Sequence, residues 1–248
     1  MSYTPNESLS DVSRGRITGS EPFGAYGRRT TAGAETNILW PDGTYALPPA
    51  AGVQMSVVST SANDAAAGTG IRTVDIHYLD ANLADQTETV TLNGTTPVNT
   101  VATNIRFVQC MHMNTYGSGK SAAGTITASV GAQNYAEIST GFVRCSSSIR
   151  MVPAGKRLLV DVVYGGSSSG AAGASTIMEI VASSFDGHDY SADSIFFPVG
   201  AAEFQDGSGG VTIPCPLPFE AGTAFGLRFQ TDKAATIVGW WSGRLENV

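Results

Sequence analysis

Phe225-Gly226-Leu227-Arg228-Phe229 sets a large apolar side chain at every second position, with Gly226 and Arg228 between. A period of two marks a strand with one buried face, because successive side chains leave a strand on opposite sides. The pattern recurs in both directions from this point. A last strand is expected from Ile237 to Leu245, through Trp240 and Trp241. Upstream, Leu158-Leu159-Val160-Asp161-Val162-Val163-Tyr164 is the most apolar candidate, entered through a turn at Pro153-Ala154-Gly155-Lys156. Ile177 to Ala182 is expected to pair with it across a loop of Gly, Ser and Ala. Ile71 to Leu79 alternates with Val74, Ile76 and Tyr78 on one face, and Gln86 to Leu92 is its expected hairpin partner. Asn93-Gly94, suited to positive φ, supplies the next turn. Ile105 to Met113 changes apolar phase after Phe107, as a β-bulge requires.

No window of helical length keeps a period of 3.6 residues. Short strands spaced by Gly, Pro and Ser turns predict an all-β chain. The expected architecture is one two-sheet antiparallel sandwich over residues 37–248, a jelly roll in topology.

Composition narrows the function. Of 248 residues, 14% are charged, which leaves much neutral surface for protein contacts, and 29 are Gly, which disfavours long helices. The net charge of −7 argues against a nucleic-acid partner, whose affinity comes from Lys and Arg on phosphates. The basic residues are 11 Arg against 3 Lys, a bias that suits protein interfaces. No apolar run reaches 18 residues, so no membrane span is expected, and residues 1–16 lack the basic start and apolar core of a signal peptide.

Residues 1–36 are polar and turn-rich, with Arg14, Arg16, Arg28 and Arg29 balanced by Glu7, Asp11, Glu21 and Glu35. Such a segment has no core of its own. It is expected as an extended N-terminal arm lying on neighbouring subunits, its four arginines on acidic or carbonyl-rich surfaces and Phe23 and Tyr26 in apolar grooves.

Chemistry-bearing motifs are sparse. Gly117-Ser118-Gly119-Lys120-Ser121 hints at a phosphate loop, but the first glycine of that motif falls on Asn114 and a strand pattern follows where a helix is needed. His77, His112 and His188 have no metal-ligand spacing. Cys110, Cys145 and Cys215 are odd in number and far apart, and read as buried free thiols. Acidic pairs such as Asp80 with Asp85, or Asp189 with Asp193, carry no catalytic signature by themselves. No catalytic residue, cofactor or metal is expected, and the protein is expected not to be an enzyme. Trp40, Trp240 and Trp241 carry the largest apolar areas. Because neighbours on a strand face opposite ways, one of Trp240 and Trp241 is expected inside and the other against a subunit partner, the arm as second-layer packing, or a sugar.

Three stretches carry a resemblance. They are Ser61 to Gly70 leading through Ile71-Arg72-Thr73-Val74 to Glu88–Thr96; Met151-Val152-Pro153-Ala154-Gly155-Lys156 with its apolar strand and Ser/Gly-rich loop; and Pro218-Phe219-Glu220-Ala221-Gly222-Thr223 before the Trp-rich end. Together, over residues 53–248, they resemble tailed-bacteriophage virion structural proteins of jelly-roll type. The resemblance implies a structural role as a capsid decoration, a head or tail fibre, or a tail accessory protein. The protein is expected as a homotrimer bound to other virion proteins, made in the host cytoplasm and carried on the virion. The alternative is a receptor-binding tail module of the same fold that recognises host-surface glycan.

Overall fold

A computed structural model describes residues 12, 15, 17–169, 173–183, 196–205, 208–214 and 218–248. From residue 17 onward the described residues form strands and turns, with no helix. The strands are β1 (Ser20–Thr30), β2 (Glu35–Ile38), β3 (Ser56–Ser59), β4 (Ile71–Asp80), β5 (Asp85–Thr91), β6 (Val98–Asn99), β7 (Ile105–Tyr116), β8 (Ile126–Val130) and β9 (Gln133–Ile138). They continue with β10 (Arg150–Met151), β11 (Lys156–Ser168), β12 (Ser175–Ser183), β13 (Phe196–Gln205), β14 (Ser208–Pro214), β15 (Pro218–Glu220), β16 (Ala224–Thr231) and β17 (Thr236–Asn247). The chain is all-β, and among the described residues all strand pairs are antiparallel.

Among the described residues four sheets form where one two-sheet sandwich was expected. Sheet A has the order β1-β17-β11-β14, with β15 also on β11, and sheet B has the order β10-β16-β12-β13, with β2 also on β16. These two close over one core that includes Leu158, Val160, Trp241 and Leu245 from sheet A and Met178, Ile180, Phe225, Leu227 and Phe229 from sheet B. Sheet C (β5-β4-β7) and sheet D (β6-β3-β8-β9) close over a second core, with Val74, Ile76 and Met111 meeting Val57, Ile126 and Ile138. The middle of the chain therefore builds an inserted unit inside an outer one made from both ends.

The insertion interrupts a single strand position. β2 pairs with Arg228–Thr231 of β16, and β10 pairs with Ala224 and Phe225 along the same strand. Between them, Leu39 N donates to Leu227 O at 2.8 Å as the chain leaves, and Ser148 N donates to Leu39 O at 3.0 Å as it returns. A third apolar cluster fills the junction, where Leu79 and Phe107 of the inserted unit meet Trp40, Tyr45, Ile149, Met151, Val181 and Ala224. The expected bulge after Phe107 is present: His77 pairs with Cys110 and Tyr78 with Val108, skipping Gln109. Freed from that ladder, buried Gln109 donates its amide to Met151 O and accepts from Met151 N at 3.1 Å, so a side chain stands in for a neighbouring strand.

Two further expectations are corrected. Residues 20–38 are not an arm, because β1 pairs with β17 along its whole length, from Ser20 against Glu246 to Thr30 against Thr236. Gly27 lets β1 lie close to the facing layer, since a Cβ there would lie 2.4 Å from Leu39 O. β12 does not pair with β11. It crosses to the opposite sheet and pairs with β13 and β16, so the loop before it spans the two layers.

Within the inserted unit, one carboxylate organises the loops. Buried Asp64 accepts from Ser59 Oγ at 2.6 Å, Ile71 N at 2.8 Å, Gly124 N at 2.9 Å and Ala123 N at 3.0 Å. These donors come from three separate segments, so the fully satisfied charge ties them to one point.

Candidate functional site

The residues expected to contact neighbours lie mostly within the fold. Phe23 packs edge-on against Trp241, with ring centroids 5.7 Å apart. Arg29 bonds Glu35 at 2.7 Å and Pro41 O at 2.7 Å, and also reaches Asp42 O. Arg28 lies 5.8 Å over the Phe142 ring, a cation–π contact from β1 to the inserted unit. These side chains find partners in their own chain, so sheet formation uses much of what was assigned to an interface. Arg14 and Arg16 lie outside the described residues.

The three tryptophans separate clearly. Trp40 is buried against Tyr45 at 5.2 Å and donates its indole N–H to Gly43 O at 2.7 Å. Trp241 is buried in the outer core and donates to Ser148 O at 2.6 Å. Trp240 faces the other way, as strand alternation demands, and is 39% exposed. It pairs across the sheet with Tyr26 on β1 and Tyr164 on β11. Tyr26 is 40% exposed, and the Tyr164 and Trp240 rings lie nearly parallel with centroids 5.8 Å apart. Three aromatic rings from three adjacent strands therefore form a row on the outer face of sheet A. Tyr164 was missed as a member, because the apolar run around it shows a strand without showing its neighbours.

The outer face of sheet C carries a second, polar group. Asp75 accepts from Thr89 Oγ1 at 2.6 Å and Asn114 Nδ2 at 2.9 Å, and lies 3.9 Å from His112 Nε2. The His77 and His112 rings stack at 4.9 Å, and His77 Nδ1 meets Thr87 Oγ1 at 3.0 Å. Burial, followed by the facing His112, holds the His77 imidazole below its ordinary pKa. Both histidines line an open pocket of about 470 Å³ with Cys110, Met113, Val143 and Arg144.

Beneath Cys110 lies Cys145, with the two Sγ atoms 3.3 Å apart and both thiols free. Their contact raises the Cys110 pKa and lowers that of Cys145, whose anion is further favoured by Arg150 and by the Met111 N–H at 3.4 Å. Their separation of 35 residues has no sequence signature; only the register of residues 144 and 145 against β7 brings them together. Among the described residues, no group of three or more His, Cys, Asp or Glu is placed to hold a metal.

The Gly117–Ser121 loop uses its amides internally. Gly117 N donates to Gly70 O at 2.8 Å and Gly119 N to Thr69 O at 2.7 Å, so these donors do not face a phosphate. Asp80 caps the turn into β5 by accepting from Asn82 N at 2.8 Å and Ala84 N at 3.0 Å. His188, Asp189, Asp193 and Cys215 lie outside the described residues. Among the described residues, no helix is long and apolar enough to cross a membrane.

No protein-family model matches the chain, and no curated protein matches it. Among solved structures, the infectious bursal disease virus Gx strain aligns over 92% of this chain and 76% of that one, at 10% identity and a TM-score of 0.22. The VP2 subviral particle of infectious bursal disease virus aligns over 99% of this chain and 79% of that one, at 9% identity and a TM-score of 0.18. Superpositions this loose carry no argument about function.

Proposed function

We propose that this chain is a non-enzymatic virion structural protein whose outer unit is a jelly roll. The observation that carries the reading is strand order. Taking β2 and β10 as one interrupted strand, the chain visits the outer sheets in the sequence A, B, A, B, B, A, B, A through β1, β2/β10, β11, β12, β13, β14, β16 and β17. That path gives sheet A the order β1-β17-β11-β14 and sheet B the order β2-β16-β12-β13. Eight strands wound as two interlocked Greek keys make the jelly roll, an architecture of viral capsid and lectin domains. The inserted unit leaves from one edge of sheet B as a separately cored projection.

In this reading the protein decorates a tailed-phage capsid or forms a fibre-like part, as a homotrimer, and its work is mechanical: it adds buried area between subunits. The anchor is the segment ahead of β1, which carries Arg14 and Arg16. Deleting residues 1–16 removes the buried Val12 and is expected to lower the melting midpoint slightly, keep the strand-dominated circular dichroism spectrum and abolish incorporation into purified particles, read by mass spectrometry and immunogold labelling. Full-length protein that is missing from purified particles sinks the virion reading. Truncated protein that is incorporated normally sinks only the anchor.

The aromatic row of Tyr26, Trp240 and Tyr164 favours a second reading, glycan recognition, since sugars stack on exposed rings. Host-surface oligosaccharides are expected to change the intrinsic tryptophan fluorescence of the wild type and not of Trp240→Ala. A glycan panel without response removes this reading.

A further inference from the structure

We propose that Cys110 and Cys145 are a redox-active dithiol that closes to a disulfide, locking the end of the inserted unit. The two sulfurs already stand 3.3 Å apart, on strand β7 and on the segment that returns to the outer unit. Backbone bonding fixes the register between them, with Cys145 N donating to Met111 O at 2.8 Å and His112 bridged to Arg144. Closing the remaining gap therefore needs side-chain rotation rather than rebuilding of the segment.

Access and order of attack also follow from the geometry. Cys110 is part-exposed and lines the pocket of about 470 Å³, whereas Cys145 is buried behind it. A low-molecular-weight disulfide, the oxidant, enters that pocket. The Cys110 thiol passes its proton across the contact to the Cys145 thiolate, and the Cys110 thiolate so formed attacks one sulfur of the oxidant. The first small thiolate leaves and is protonated from solvent. Cys145, which favours the anion beside Arg150, attacks the Cys110 sulfur and expels the second small thiolate, which takes up the Cys145 proton. Two protein thiols are oxidised and one small disulfide is reduced to two thiols.

The bond would close a ring running from β7 through β8 and β9 to Cys145. It would sit three residues before Ser148, where the chain re-enters the outer unit. The reduced protein would hold this exit by hydrogen bonds, and the oxidised protein by a covalent bond.

The test uses full-length protein, reduced and then freed of reductant, exposed to oxidised glutathione and weighed intact without reduction. The expected product is lighter by two hydrogens, and its digest joins the Cys110 peptide to the Cys145 peptide. Cys215→Ser should form the same product. Cys145→Ser should instead retain glutathione on Cys110, because the resolving thiol is gone. Wild-type protein that stays unmodified, ends as a lasting glutathione adduct, or links through Cys215 overturns the proposal.

Discussion

The Ser148 hydroxyl bonds both backbone groups of Leu227, accepting from its N–H at 3.2 Å and donating to its carbonyl at 3.3 Å. One side chain thereby fills the gap between β2 and β10 on the edge of β16. Ser148→Ala would orphan the buried Leu227 N–H, at a cost of about 1–3 kcal/mol. Urea unfolding should show a lower midpoint with an unchanged slope. An unchanged midpoint would mean that the hydroxyl is not what completes the edge.

Phe229 is fully buried between the outer sheets. Phe229→Ala is expected to destabilise the protein by roughly 3–5 kcal/mol through lost apolar burial and the cavity left behind. Thermal unfolding at the wild-type temperature would refute the outer core as drawn.

Asp64→Asn keeps the size of the side chain and removes its charge. An amide group would then face backbone N–H donors where Oδ1 now accepts from Ile71 and Ala123 and Oδ2 accepts from Gly124. Charge-assisted bonds of this kind contribute about 1.5–3 kcal/mol each, so a loss of at least that size is expected. Hydrogen exchange should show the loss in the inserted unit first. Uniform exchange across both units would argue that they unfold as one.

His77 provides a pH test. Burial and His112 depress its pKa in the folded state, so between that value and about 6.5 the unfolded chain binds more protons than the fold does. The stability contributed by neutral His77 is complete above about 6.5 and is lost as pH falls through the folded value. An NMR titration should place the His77 midpoint below about 6.5. A midpoint at or above it would contradict the packing described.

Much of the fold is legible in the sequence wherever one face of a strand is dry. Phe225, Leu227 and Phe229 are all buried, β5 is the hairpin partner of β4, and the phase change after Phe107 is a bulge. β1 escaped notice because its inward positions include Ala25 and Gly27, which are too small to show a hydrophobic period. The partner of β12 escaped because a Gly/Ser loop does not encode which layer the chain enters next. Alternation also reports that a face is buried and not which core receives it, so two cores read as one. The aromatic row and the thiol pair are products of register, joining residues such as Tyr26 and Trp240 that sequence separates by most of the chain.

The adjacent exit and re-entry at Leu39 and Ser148 make the outer unit a socket. A different module whose two ends lie side by side could be seated there without disturbing the path of any other outer strand. Leu79 and Phe107 specify what such a graft must supply, because together they cover the Trp40 and Met151 side of the junction. A replacement without two comparable apolar residues would leave that surface wet. Exchange of the projecting module is thus governed by a small apolar footprint as well as by the two chain ends.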